Sequence, residues 1–172
     1  MRLQLTSNKS INQLNSDLFD SKEDPIIKVR KKAMDYLARR EYAYKELIQK
    51  LERAGNESSY VADVVDQLSS EGFQCDNRYT ESFVRTKIAQ GKGPKWIRYE
   101  LKKKGVGQDI IDITITNIEE DWYLLAKDVR SRKFGDKSIK DFKEKSRQIR
   151  FLQYRGFESE HIREAMSYYV ED

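Results

Sequence analysis

The stretch that decides the fold reads Leu101-Lys102-Lys103-Lys104-Gly105-Val106-Gly107-Gln108-Asp109-Ile110-Ile111-Asp112-Ile113-Thr114-Ile115. An apolar residue stands four positions before Gly105, and others stand six and ten positions after it. The same frame recurs around Gly55 and Gly156, at spacings of 50 and 51 residues. Leu51, Leu101 and Leu152 hold the position four before the glycine, and Val61, Ile111 and Ile162 hold the position six after it. Val65, Ile115 and Met166 follow at ten, and Leu68, Ile118 and Tyr169 at thirteen. Offsets of six, ten and thirteen trace one face of a helix. Each frame therefore predicts a helix ending near the glycine, a tight turn and a second amphipathic helix. The glycine suits the C′ position, where the left-handed conformation is costly for any residue with a Cβ.

Working outward, each frame is preceded by another helical stretch, at roughly 25–40, 77–90 and 122–134. Asp24-Pro25 reads as an N-cap followed by proline at the first helical position, and Gly91-Lys92-Gly93-Pro94 ends one helix and starts the next. The expectation is all-α: three tandem three-helix repeats forming an elongated, curved array, with repeats at 25–73, 74–121 and 122–172. The polar residues 1–24 are expected to form a flexible N-terminal tail. With 38% hydrophobic and 36% charged residues the core must be thin, which suits units that stack and share apolar faces. A lone unit of this size would bury too little surface to be comfortably stable.

Charge follows the repeat. Residues 28–50 carry 8 basic and 3 acidic side chains, net +5, and 51–77 carry 1 and 6, net −5. Residues 78–108 carry 9 and 2, net +7, whereas 109–121 carry 5 acidic and no basic groups. Residues 127–150 carry 10 and 4, net +6, and 158–172 return to −4. The first two helices of each unit are basic and the third is acidic. One account is a solvated surface whose charges pair between neighbouring helices. The other is a positive strip, built from Arg39, Arg40, Arg85, Lys87, Lys92, Lys95, Arg98, Lys102, Arg130, Arg132 and Lys133, that attracts nucleic acid or an acidic protein surface. Tyr79 and Tyr99 lie near it, in reach of stacking on bases or of packing at its rim. Acidic third helices, carrying Asp63, Asp66, Asp109, Asp112, Glu160 and Glu164, would be repelled by phosphates. That argues against a recognition helix reading a duplex major groove.

Chemistry for catalysis is sparse. One cysteine, Cys75, and one histidine, His161, lie too far apart in sequence to suggest zinc, and a single cysteine forms no disulfide within a monomer. Cys75 reads as a bystander before a helix N-cap at Asp76, and His161 as a surface residue. There is no G-x-x-x-x-G-K-[ST] phosphate loop, and the adjacent Glu119 and Glu120 diverge on a helix. No cofactor or metal is expected. No apolar run nears the ~20 residues that span a bilayer, and no secretory signal stands at the start, so the expected location is the cytoplasm.

Four ordered stretches, from three units, carry a family resemblance. Leu37-Ala-Arg-Arg-Glu-Tyr-Ala-Tyr-Lys-Glu-Leu-Ile-Gln-Lys-Leu51 resembles the first-unit signature of the bacterial RecX family. Gly72-Phe-Gln-Cys-Asp-Asn-Arg-Tyr-Thr-Glu-Ser-Phe-Val-Arg85 and Lys92-Gly-Pro-Lys-Trp-Ile-Arg-Tyr-Glu-Leu-Lys-Lys-Lys-Gly-Val106 resemble its second unit, and Phe151-Leu-Gln-Tyr-Arg-Gly-Phe157 its third. The likeness covers about residues 30–170. Ala43 stands where the family usually has a capping Ser, implying a weaker start to the second helix, and Gln74 replaces a usual apolar residue. The resemblance implies a non-enzymatic negative modulator of the RecA recombinase, and the chain is expected to be a monomer. Such a protein binds the RecA filament on single-stranded DNA along its groove. It inhibits ATP hydrolysis, strand exchange and co-protease activity and limits filament extension, and its own nucleic-acid affinity is weak. The residues alone also leave open a stand-alone nucleic-acid-binding repeat protein, an adaptor for acidic partners, and an enzyme using Cys75.

Overall fold

The computed structural model describes residues 24–139 and 141–169. The expected tail, apart from Asp24, lies outside them. Among the described residues the chain forms nine helices: α1 (Pro25–Leu37), α2 (Tyr44–Arg53), α3 (Ser58–Ser70), α4 (Asp76–Ala89), α5 (Pro94–Lys103), α6 (Gln108–Asn117), α7 (Trp122–Phe134), α8 (Phe142–Arg155) and α9 (Ser159–Ser167). The all-α repeat architecture read from the glycine frames is the one observed.

Local chemistry explains where helices begin. Asp24 accepts the Ile26 N–H at 2.9 Å with Pro25 at the first helical position. Asp121 accepts the N–H groups of Tyr123 and Leu124, both at 3.0 Å, and Asp141 accepts that of Lys143 at 3.1 Å. The frame glycines end α2, α5 and α8 with φ of 83°, 82° and 85°. Beyond two of them the chain folds back on the frame leucine: Val106 N–H donates to the Leu101 carbonyl, and Phe157 N–H to that of Leu152, both at 3.2 Å. In the first unit a side chain does the same work, Asn56 Nδ2 reaching the Leu51 carbonyl at 2.6 Å. Two boundaries differ from expectation. The first helix stops at Leu37, where Ala38 to Glu41 turn the chain toward α2. Asp76 opens α4 as its first residue, and Cys75 holds the cap position without a side-chain bond.

Packing corrects the expectation of shared apolar faces. Buried residues fall into three clusters, centred on Leu47, Leu51, Val61 and Leu68, on Ile97, Leu101 and Ile111, and on Ala126, Leu152 and Ala165. Every substantial helix pair packs within one unit: α1, α2 and α3 together, then α4, α5 and α6, then α7, α8 and α9. Ala43, from the start of α2, crosses into the second cluster. Trp122, the first residue of α7, packs against the same cluster from unit 3, and the remaining contact between units runs through helix ends and loops, largely by backbone groups and charged side chains.

Candidate partner-binding surface

Two seams bring the basic residues together. At the first, Gln74 is buried between units 1 and 2 and donates Nε2 to the Tyr42 carbonyl at 3.1 Å and to Asp76 Oδ1 at 2.9 Å. Asp76 Oδ1 in turn accepts the Tyr44 N–H at 2.8 Å, capping α2 from the next unit. Glu46 bridges Arg40 at 3.3 Å and Lys104 at 2.8 Å. Burial alone would raise the Glu46 carboxyl, but bonds from Lys104 and Arg40 hold it below the usual glutamate range. Above this seam lies a groove of about 370 Å³ whose lining includes Arg40, Phe83, Lys87, Trp96, Glu100 and Lys104.

The second seam joins units 2 and 3 by backbone. Gly93 N–H donates to the Arg155 carbonyl at 2.8 Å, and Lys95 N–H to that of Gly156 at 3.0 Å. A Cβ on Gly93 would stand 2.5 Å from the Gly156 carbonyl, and one on Gly156 would stand 2.4 Å from the backbone of Trp96. Beside this contact a second groove, of about 260 Å³, is lined by Gly91, Val129, Arg132, Lys133, Phe151 and Arg155, among others. Helix α4 borders both grooves, so a basic path runs from Arg40 in unit 1, past Lys87 and Lys92, to Arg132 and Lys133 in unit 3.

The eleven strip residues do not share one face. Arg40, Lys87, Lys92, Arg132 and Lys133 lie along the grooves or between them. Trp96, Glu100 and Lys104 line one side of α5 at i, i+4 and i+8, whereas Lys95, Arg98 and Lys102, at i, i+3 and i+7, occupy another. Lys95 pairs there with Glu158 at 3.0 Å, and Arg98 faces Asp112 at 3.7 Å. The acidic third helices thus neutralise part of the strip, so charge pairing accounts for that flank. Arg39 is exposed in the α1–α2 turn, and Arg85 is exposed on α4, 3.9 Å from Glu81.

Arg130 is corrected outright. It is 1% exposed, donates to Gln148 Oε1 at 2.7 Å and to the Gly135 carbonyl at 2.5 Å, and lies 3.4 Å from the Tyr169 ring centroid. It organises the α7–α8 loop and cannot touch a partner. His161 is also buried, at 5% exposed, with Nδ1 accepting the Glu158 N–H that opens α9 and its ring edge-to-face with Tyr123 at 4.7 Å. Tyr79 belongs to the second core, while Tyr99 is exposed. Sequence reading missed Lys104 and Arg155, whose relevance depends on contacts across the seams. The spacing of Lys104, eight residues after Trp96 and four after Glu100, was the available signal. Among the described residues no His, Cys, Asp and Glu group could hold a metal, and no helix is long and apolar enough to cross a membrane.

The fold is a three-unit helical repeat with a basic, grooved face. Family models for the first, second and third three-helix domains of RecX match residues 30–68, 76–115 and 119–166. The chain belongs to the RecX family. It is 41% identical over 144 residues to the regulatory protein RecX of Halorhodospira halophila, covering 84% of this chain and 89% of that one. It is 34% identical over 155 residues to that of Vibrio campbellii, covering 90% and 100%. The crystal structure of RecX from Lactobacillus salivarius shares the fold with a TM-score of 0.69 at 23% identity, over 84% of this chain and 96% of that one. A second crystal structure of regulatory protein RecX gives a TM-score of 0.71 at 24% identity, over 97% and 80%.

Proposed function

We propose that this protein is a negative modulator of RecA in the cytoplasm, binding as a monomer along the groove of the filament on single-stranded DNA. Bound there, it inhibits ATP hydrolysis, strand exchange and co-protease activity and limits filament extension, without catalysing a reaction itself. The observation that carries the reading is the match of all three units, in order, to a family of regulatory proteins. The basic path across the same three units supports it, since a groove holding phosphates and acidic side chains would attract such a face.

The test is RecA ATP hydrolysis on single-stranded DNA while this protein is titrated at substoichiometric ratios. Loss of hydrolysis well below one molecule per RecA subunit is expected. No effect, even in excess and at low salt, would overturn the reading in favour of a stand-alone nucleic-acid binder.

A further inference from the structure

We infer that Lys87 and Lys92, over the Trp96 indole, and Arg155, bonded to the Gln90 carbonyl beside them at the seam between units 2 and 3, form a site for single-stranded nucleic acid in which the cations hold the phosphodiester and the indole stacks a base. The inference rests on the basic face proposed above and adds that this face grips the strand itself.

The geometry is specific. Lys92 Nζ stands 4.4 Å from the indole centroid and Lys87 Nζ 5.8 Å from it. Arg155 Nη1 donates to the Gln90 carbonyl at 2.8 Å, while its own carbonyl accepts the Gly93 N–H at 2.8 Å. Unit 3 therefore contributes a fixed cation to a site whose other members belong to unit 2. Arg85, Lys95, Arg98 and Arg132 each face a carboxylate. Lys87, Lys92 and Arg155 form no ion pair among the described residues, and Glu100 is the one acidic group whose field reaches Lys92. Burial, then Arg155 and Lys87, pulls the Lys92 ammonium below the usual lysine range. Like charges gathered without a counter-ion are relieved by an anion.

The indole selects among anions. A carboxylate gains nothing from it, whereas a phosphate attached to an unpaired base draws the ammonium groups off the ring and offers a π-face in their place. A duplex hides that face. The site also sits where the two grooves meet: Lys87 and Trp96 line the first, and Gly91 and Arg155 the second. A strand can continue in either direction.

The test needs no RecA, so it can fail separately from the proposed function. With Trp122→Phe leaving Trp96 as the remaining indole, titration with an oligothymidylate should change tryptophan emission saturably. The logarithm of affinity should fall against that of salt with a slope of about −2, from three cations at ~0.7 each. In an otherwise unaltered chain, Lys87→Gln/Lys92→Gln should weaken binding of a labelled oligonucleotide with an unchanged urea midpoint, and the triple variant with Arg155→Gln should weaken it by roughly tenfold or more. Trp96→Phe should keep more affinity than Trp96→Leu. The inference is overturned if the oligonucleotide binds without altering Trp96 emission, if the triple variant binds as tightly, or if duplex DNA or polyglutamate binds as well. Absence of oligonucleotide binding by the unaltered protein, with RecA inhibition intact, would overturn the inference alone.

Discussion

Asp76 Oδ1 accepts the backbone N–H of Tyr44 at 2.8 Å, so the first turn of α2 is capped by the first residue of α4. Ala43 occupies the N-cap of α2 and makes no side-chain bond. The same Asp76 oxygen receives Gln74 Nε2 at 2.9 Å. The α2 N-terminus that Ala43 leaves without a side-chain cap and the Gln74 amide therefore meet at one carboxylate. What a local hydroxyl would do within unit 1 is done from unit 2, and the cap becomes a link between units.

Asp76→Ala should accordingly destabilise the protein by about 1–2 kcal/mol, the range for a lost cap with buried donors left unmet. Asp76→Asn, which keeps an acceptor, should lose less. Gln74→Ala should cost less in the Asp76→Ala background than alone, because the two side chains share a bond. Urea denaturation of the four proteins measures this coupling, and strictly additive changes would refute it.

Arg130 and its neighbours on α7 should separate stability from binding. Truncating Arg130 leaves Gln148 and the Gly135 carbonyl without their donor and opens space against Tyr169. A loss of about 3 kcal/mol is expected for Arg130→Ala, whereas Arg132→Ala and Lys133→Ala should stay within roughly 0.5 kcal/mol. Thermal unfolding of the three variants checks the contrast.

The glycine frames made the architecture legible because backbone conformation and helical period are both written locally. Leu51, Leu101 and Leu152 are fully buried, as their position four before the glycine implied. The strip was legible only as charge. Arg130 and Arg132 are indistinguishable by composition, yet one is buried by the loop that follows it. Lys95 and Lys92 differ because Lys95, on α5, faces Glu158, whereas Lys92, in the turn before α5, lies beside Trp96. His161 misled because its acidic neighbours point outward while its ring fills the α7–α9 contact. Facing, rather than residue type, was the missing quantity.

The division between groove and flank predicts a division of function. Neutralising Lys87, Arg132 and Lys133 together should raise the concentration needed for half-inhibition of RecA ATP hydrolysis by roughly tenfold, since exposed charges act mainly on encounter and orientation. Neutralising Lys95 and Lys102, on the flank partly matched by Glu158, should change it by less than about twofold. Equal effects of the two sets would mean that the grooves are not the contact surface.

Stability should also fall on mild acidification, through His161. Burial lowers its affinity for a proton, against the opposing pull of Glu160, Glu158 and Asp121, and Nδ1 must stay unprotonated to accept the Glu158 N–H. A folded-state pKa below the unfolded value means that the stabilisation is present above about 6.5. It is lost progressively as pH drops from there toward the lower folded value. Gln at this third helical position can accept the same N–H without titrating. The urea midpoint of His161→Gln should therefore change less than that of the unaltered protein between pH 7.5 and 5.5. Parallel changes would place the acid sensitivity elsewhere.

The seam between units 2 and 3 offers the sharpest structural test, because two glycines fail there for different reasons. Gly93 has an ordinary extended conformation, φ −84°, but a methyl group would collide with rigid backbone at Gly156 and Phe157. Gly55 has open space around it but a φ of 83°. Gly55→Ala should cost about 1–2 kcal/mol of left-handed strain and leave the units docked. Gly93→Ala must push unit 3 away, breaking the bonds from Gly93 to Arg155 and from Lys95 to Gly156, with a loss of about 1–3 kcal/mol from overpacking alone. Hydrogen exchange should then accelerate at the Gly93 and Lys95 amides while the unit cores stay protected. A Gly93→Ala protein that exchanged like the parent at those amides would show that the seam can shift without opening.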